Sequence, residues 1–212
     1  MNLTNMAIAV GVVFVLLLLS EWGWRKFWLK GEVGRKFVHI SVGTFVAFWP
    51  YFLSWTEIRL LSLAFFIVVL VALWTKLFHA VGSVQRPTYG EIFFALSVGL
   101  LTVITQSKGV YAAAILQMAL ADGFAAIIGG RYGTQNKYHL FGRTKSLVGS
   151  ATFFVISLGL LVGYSQFSDN GLAWQFILGG ALGATLLENI AALGFDNLLV
   201  PLAVGVLLQY IA

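Results

Sequence analysis

Four polar groups near the end of the sequence have the chemistry of a metal site. Glu188-Asn189 and Asp196-Asn197 flank Gly194, which lets the backbone break between them. Mg²⁺ prefers oxygen ligands and brings phosphate groups with it. Two carboxylates beside two amides therefore predict a magnesium site that also receives a phosphate-bearing ligand.

Asp122 is a further carboxylate inside an otherwise apolar segment. Ala126, Gly129 and Gly133 follow it at helical spacing and form a face of small residues. The small residues alone favour close helix packing. A carboxylate beside them favours a functional role, because an ionisable group at membrane depth is costly. The alternative is that Asp122 only accepts hydrogen bonds between helices.

The polar stretch 131–146 combines positive charge with a helix start. Arg131, Arg143 and Lys145 supply the charge, and Ser146 lies where the next apolar segment begins. The stretch is too long for a minimal helix connection, which favours a function. An exposed helix N-terminus attracts anions, so these residues are candidates for binding phosphate groups.

The Lys145-Ser146 pair is similar to part of a Walker A loop, but the full motif is absent. Thr144 stands where that motif requires glycine. Glycines such as Gly149 still allow backbone N–H groups to approach a phosphate. The alternative is a basic cytoplasmic loop in which Ser146 caps the following helix.

A second basic group opens another apolar segment. Arg35, His39 and Gly43 fall on one helical face, with Lys36 beside them. The histidine can bind a phosphate or act as an acid or base. The equally favoured alternative is a packed, hydrogen-bonded histidine beside two basic side chains that reach the interface.

The elements that must position these residues are membrane helices. The 212 residues are 59% hydrophobic and only 10% charged, and the mean hydropathy is +0.90. Soluble domains carry nearer a quarter charged residues, so lipid is the expected solvent. The absence of cysteine excludes disulfides, thiolate zinc sites and cysteine nucleophiles.

Apolar segments of about 20 residues predict an all-α integral membrane protein with about eight transmembrane helices in a single domain, residues 1–212. Seven helices is the alternative, if the last two segments form broken or re-entrant pieces. The first segment has no cleavage site and is read as a retained helix. The predicted spans are 2–20, 37–54, 58–77, 91–106, 109–129, 147–166, 172–191 and 197–212.

The basic residues predict the orientation of the bundle. With the N-terminus outside, eleven of the 13 Lys and Arg residues fall on the inner side, and only Arg59 and Lys108 fall outside. This asymmetry satisfies the positive-inside rule and explains the net charge of +5 without nucleic acid. Both termini are then non-cytoplasmic, and every polar group described above faces the cytoplasm.

The ordered set of motifs resembles the membrane-bound prenyl-alcohol kinases, the family of dolichol, phytol and polyprenol kinases. The resemblance runs from about residue 35 to 201. Its blocks are Arg35-Lys36-x-x-His39-x-x-x-Gly43, Arg86-x-Thr88-Tyr89-Gly90-Glu91, Asp122-Gly123-x-Ala125-x-x-x-Gly129 through Gly133, Lys145-Ser146-x-x-Gly149-Ser150, and Glu188-Asn189 with Asp196-Asn197-x-x-x-Pro201.

One position departs from the family pattern, and one block has a structural alternative. The family often has glutamate where this chain has Val148. If that glutamate binds a metal ion in the relatives, Asp122, Glu188 or Asp196 must do so in this chain. Thr88 and Glu91 have the spacing of a capping box, which would make Glu91 structural.

The resemblance implies an enzyme that transfers a phosphoryl group from CTP, or from ATP, to a long-chain isoprenoid alcohol at the cytoplasmic membrane face. The implied partners are the bilayer, the alcohol and the nucleotide; an oligomer is compatible with the sequence. Asp122, Glu188 and Asp196 would bind Mg²⁺, and a carboxylate or His39 would take the alcohol proton. The expected nucleotide-binding residues are Arg35, Lys36, Gly129, Arg131, Gly133, Arg143, Lys145, Ser146, Gly149 and Asn197.

Two other functions stay open. The phosphatidate cytidylyltransferases are related and share a similar Asp-plus-Lys-Ser element, which makes a CDP-lipid synthase the first alternative. A small transporter whose buried charges line a path is the second. No inverted repeat is evident in the sequence, which counts against the transporter.

Overall fold

The computed structural model describes residues 1–29, 31–75, 89–140, 143–168 and 171–211. Within these ranges the chain forms eight helices, which confirms the predicted all-α class. They are α1 (Leu3–Arg25), α2 (Gly31–Ala47), α3 (Trp55–Thr75), α4 (Gly90–Ile104), α5 (Lys108–Tyr132), α6 (Leu147–Phe167), α7 (Trp174–Ile190) and α8 (Asp196–Ile211). Lys30, Lys76, Arg86 and Thr88, which the sequence predictions used, lie outside the described residues.

The helices follow the predicted segments in order, with two differences at α2. This helix begins at Gly31, earlier than predicted, and so includes the basic residues Arg35 and Lys36. It ends at Ala47, because a 3₁₀ turn with a proline, Trp49–Tyr51, follows. By length and composition, α1, α5 and α6 are each long and apolar enough to cross a membrane, and α4 and α8 are shorter apolar helices.

Helix α5 lies at the centre of the bundle. Two thirds of its most apolar stretch is buried (67%), against 11% for α1 and 22% for α6. It packs against α2, α6 and α8. Its middle, Gln117–Asp122, is π-helical, and the buried Gln117 amide there donates to the carbonyl of Ser157 on α6 at 3.1 Å. A π-helical segment inside an α-helix is rare and frequently marks a functional site.

The polar connection between α5 and α6 is more ordered than the predicted loop. Strands β1 (Lys137–Leu140) and β2 (Arg143–Ser146) pair in antiparallel fashion, with Tyr138 opposite Lys145. The Leu147 amide donates to the Asn136 carbonyl at 2.9 Å and joins the hairpin to the start of α6.

The two ends of the bundle differ in chemistry. At one end, Asn5 donates to the Phe52 carbonyl at 2.8 Å, and the Arg59 Nε donates to Thr102 at 2.9 Å. The hairpin, the start of α2 and the α7–α8 turn surround a charged cavity described below. In that turn Leu193 and Gly194 have φ of 54° and 92°, so the chain reverses tightly between two carboxylates.

Candidate active site

A polar cavity of about 330 Å³ lies among α2, α5, the hairpin, α6 and the α7–α8 turn. Most of the residues predicted from sequence for the site line it. They are Arg35, Lys36, Asp122, Gly129, Arg143, Lys145, Ser146, Gly149, Glu188, Asp196 and Asn197. His39, Arg131 and Gly133 are the predicted residues that lie outside its lining.

Three carboxylates from separate elements meet in this cavity. One oxygen each of Asp122, Glu188 and Asp196 lies within 4.8 Å of the other two. Asp122 and Glu188 are buried, and Asp196 is half-buried. Such an all-oxygen set fits a hard cation such as Mg²⁺, because carboxylates are its preferred protein ligands.

Two lysines neutralise the two buried carboxylates. Lys36 of α2 pairs with Asp122, and Lys145 of β2 pairs with Glu188. Lys145 also donates to the Glu188 main-chain carbonyl at 3.0 Å. Because removing one partner of a buried pair leaves an uncompensated charge, these contacts hold α2 and the hairpin against the core.

Arg35 joins two helices at the cavity edge. Its guanidinium lies 2.6 Å from Glu32 and 3.7 Å from Glu91. Helix α4 begins at Gly90 with Tyr89 as its N-cap, and the capping-box prediction for Glu91 depends on Thr88, which lies outside the described residues. Glu91 provides a carboxylate that faces Arg35.

His39 lies behind the carboxylate cluster. Its Nε2 is 2.9 Å from the Met118 carbonyl oxygen and 3.4 Å from Asp122 Oδ2. A carbonyl oxygen only accepts, so Nε2 carries a hydrogen, and Nδ1 is the acceptor nitrogen of the neutral ring. Gly43 permits this approach of α2, because a Cβ there would lie 2.5 Å from the Cβ of Ala119 on α5.

The small residues on α5 serve close packing. A Cβ at Gly129 would lie 2.8 Å from the Gly149 Cα, and one at Gly133 would lie 2.5 Å from the Ser146 Cβ. Ser146 caps α6 and accepts from the Gly149 amide at 3.1 Å, which confirms the capping interpretation. Ser146 still lines the cavity.

Arg131 is separated from the other predicted phosphate ligands. Its side chain is exposed, and its guanidinium carbon lies 5.4 Å from the centre of the Tyr132 ring. The last turn of α5 directs it away from the cavity, whereas Arg143 on the hairpin lines it.

Sequence reasoning missed a network that fixes the hairpin. The Tyr138 hydroxyl donates to the side-chain oxygen of Asn189. The Ser150 hydroxyl lies 2.6 Å from the Tyr138 oxygen and 3.0 Å from the same Asn189 oxygen, and it donates its single proton to one of these two acceptors. Ser150 and Asn189 adjoin motif residues in the sequence, but Tyr138 became visible only with the hairpin. Glu32 and Lys137, which line the cavity, were missed as well.

Three known proteins similar to this chain are named as a phytol kinase or a probable phytol kinase. The chain is 35% identical over 178 residues to a phytol kinase of Synechocystis sp., covering 81% of this chain and 76% of that protein. It is 27% identical over 214 residues to the probable phytol kinase 2, chloroplastic, of Glycine max, covering 92% and 70%. The corresponding protein of Oryza sativa subsp. japonica is 27% identical over 225 residues, covering 95% and 73%.

No family model matches the chain. No solved structure matches it. At 35% identity over three quarters of a phytol kinase, with the motif residues gathered around one polar cavity, the chain belongs to the family of membrane-bound prenyl-alcohol kinases that includes the phytol kinases.

Proposed function

We propose that this protein is a multi-pass membrane kinase that phosphorylates a long-chain isoprenoid alcohol at the cytoplasmic face, with CTP as donor and ATP as the alternative donor. The observation that carries the proposal is the meeting of three carboxylates within 4.8 Å in a cavity that five cationic side chains also line. The relatives are named phytol kinases, so phytol is the first alcohol to test.

Asp122, Glu188 and Asp196 are the proposed Mg²⁺ ligands. When bound, Mg²⁺ neutralises charge on the phosphate groups that are transferred and released. The protein contributes a set of oxygens held in place by separate helices, which limits the reorganisation that binding requires. Asn197 supports this arrangement, because its side-chain amide donates to the Gly90 carbonyl at 3.1 Å and ties α8 to α4.

The hairpin supplies the positive charge for the triphosphate. Lys137, Arg143 and Lys145 all line the cavity from β1 and β2. Cations positioned where charge develops stabilise the transition state of phosphoryl transfer. Arg131 was also predicted to bind the triphosphate. It lies outside the cavity and has no role in the proposed mechanism.

In the proposed reaction the alcohol oxygen attacks the terminal phosphorus, and the bond from that phosphorus to the bridging oxygen breaks. The products are the alkyl monophosphate and a nucleoside diphosphate. The alcohol proton passes to a base, for which a cavity carboxylate and His39 are the candidates. His39 fits through Nδ1, because the hydrogen on Nε2 is engaged by Met118.

The orientation rests on the charge asymmetry of the sequence. The cavity lies at the bundle end that carries the basic residues of α2 and the hairpin. The positive-inside rule assigns that end to the cytoplasm, where the nucleotide is found. An alcohol anchored in the bilayer places its hydroxyl at the same interface.

The decisive experiment incubates purified protein with labelled CTP or ATP, Mg²⁺, and a panel of prenols with diacylglycerol and phosphatidic acid. A kinase releases a nucleoside diphosphate and a phosphorylated alcohol, whereas a cytidylyltransferase releases pyrophosphate and a CDP-lipid. Asp122→Asn and Lys145→Ala should each lower kcat and kcat/KM together, nearly to background, in protein that still purifies folded. Label in no prenol, or near-normal turnover in both variants, would refute the proposal.

A further inference from the structure

A second, mainly apolar cleft opens beside the charged cavity. It has a volume of about 50 Å³ and lies among α2, α3 and α4. Its residues are Arg35, Val38, His39, Val42, Phe65, Glu91 and Phe94. Arg35 lines both spaces, and His39 contacts Asp122, so the cleft adjoins the carboxylate cluster.

The cleft changes from polar to apolar with depth. On α2 its lining runs from Arg35 to Val42, and on α4 it runs from Glu91 to Phe94. Both helices therefore place a charged residue at the cavity end and an apolar residue one or two turns deeper. Seven residues of helix advance about 10 Å, which sets the depth of the α2 wall.

The cleft lies between two groups of packed helices. Helix α3 packs against α4, whereas α2 packs against α1 and α5. The rings of Phe65 and Phe94 meet edge-on, with their centroids 6.1 Å apart. The centroids of the Phe94 and His39 rings are 5.6 Å apart. Val38 and Phe65 are half-buried, so the cleft opens toward the outer surface of the bundle, which lipid would cover.

We propose that this cleft binds the hydroxyl-proximal part of the isoprenoid chain. Its polar end would hold the hydroxyl between Arg35 and His39, next to Asp122, and the rest of the tail would continue past Val42 into lipid. An apolar tail ending in a hydroxyl matches the gradient of the cleft. This inference rests on the kinase function proposed above.

The test replaces Val38 with Trp to fill the cleft, and uses Val68→Trp as the matched control. Val68 is on α3 and 53% exposed, so the same enlargement there meets lipid. Val38→Trp should raise KM for prenols at least tenfold while the Kd of Mg²⁺–nucleotide stays within twofold of wild type. Val68→Trp should leave both values unchanged. An unchanged KM in a folded Val38→Trp variant would overturn the inference.

A crosslinking experiment with the wild-type protein covers the case in which Val38→Trp does not fold. A prenol carrying a diazirine near its hydroxyl should label peptides containing Val38, Val42, Phe65 or Phe94, and excess unlabelled prenol should compete. Labelling confined to other helices would overturn the cleft. A wild-type protein that phosphorylates no prenol would refute the kinase proposal itself, so the two failures are distinguishable.

Discussion

The buried pair of Lys36 and Asp122 is the contact whose loss should be most visible in stability. The two side chains are only 3% and 8% exposed, so solvent screens them little. Lys36→Met leaves the carboxylate buried without its partner, which typically costs about 3–5 kcal/mol. In a chain of 150–250 residues each kcal/mol lowers Tm by about 2–4 °C, so Tm should fall by roughly 6–20 °C.

The measurement is thermal unfolding of the detergent-solubilised protein in EDTA, so that no cation replaces the lysine. Lys26→Met is the control, because Lys26 is exposed and its loss should change stability by no more than about 0.5 kcal/mol. The double variant Lys36→Met/Asp122→Asn removes both charges and should recover most of the lost Tm. Additive losses in the double variant, or an unchanged Tm in Lys36→Met, would refute the assigned role of this pair.

Two further substitutions test the hairpin. Gly133→Ala should lower the free energy of unfolding by about 1–3 kcal/mol, because the new Cβ would lie 2.6 Å from the Gly129 carbonyl oxygen. Gly130→Ala is the control, because no atom lies within 4 Å of its new Cβ, and it should not destabilise the protein. Thermal unfolding measures both effects. Equal effects of the two would contradict the packing argument. Tyr138→Phe removes the hydroxyl that binds Asn189 and should raise KM for the nucleotide several-fold with little loss of kcat, as measured by steady-state kinetics. An unchanged KM would show that the network does not position the hairpin.

The gathering of the carboxylates was predictable from the sequence. Segments that alternate in direction bring every second connection to the same end of a bundle, so Asp122, Glu188 and Asp196 had to lie at one level. Their separation within that level depends on how α5, α7 and α8 pack. That packing is set by many small contacts and has no single sequence signal.

Other features escaped the sequence for identifiable reasons. Strand β2 has only polar residues, and β1 has just two alternating apolar ones, Tyr138 and Leu140, so the hairpin is too short to give a clear strand signal. The direction of Arg131 depends on where α5 ends, and helix boundaries are the least certain part of a pattern-based prediction. Lys36 lines the cavity, and its aliphatic stem also brings its ammonium to Asp122, a partner that the sequence did not indicate.

The π-helical segment Gln117–Asp122 has a consequence for how this protein tolerates insertions and deletions. Each residue of an ordinary helix turns the chain by about 100°, so the wide turn offsets the part of α5 after Asp122 from the part before Gln117. Loss of one residue within this segment would let a regular helix join the two halves with their faces unchanged, because the wide turn holds one extra residue. Loss of one residue elsewhere in α5 would rotate the part beyond it by about 100° and turn either the buried half or the cavity half out of place. Within α5, the segment Gln117–Asp122 is therefore where a change of length is best tolerated.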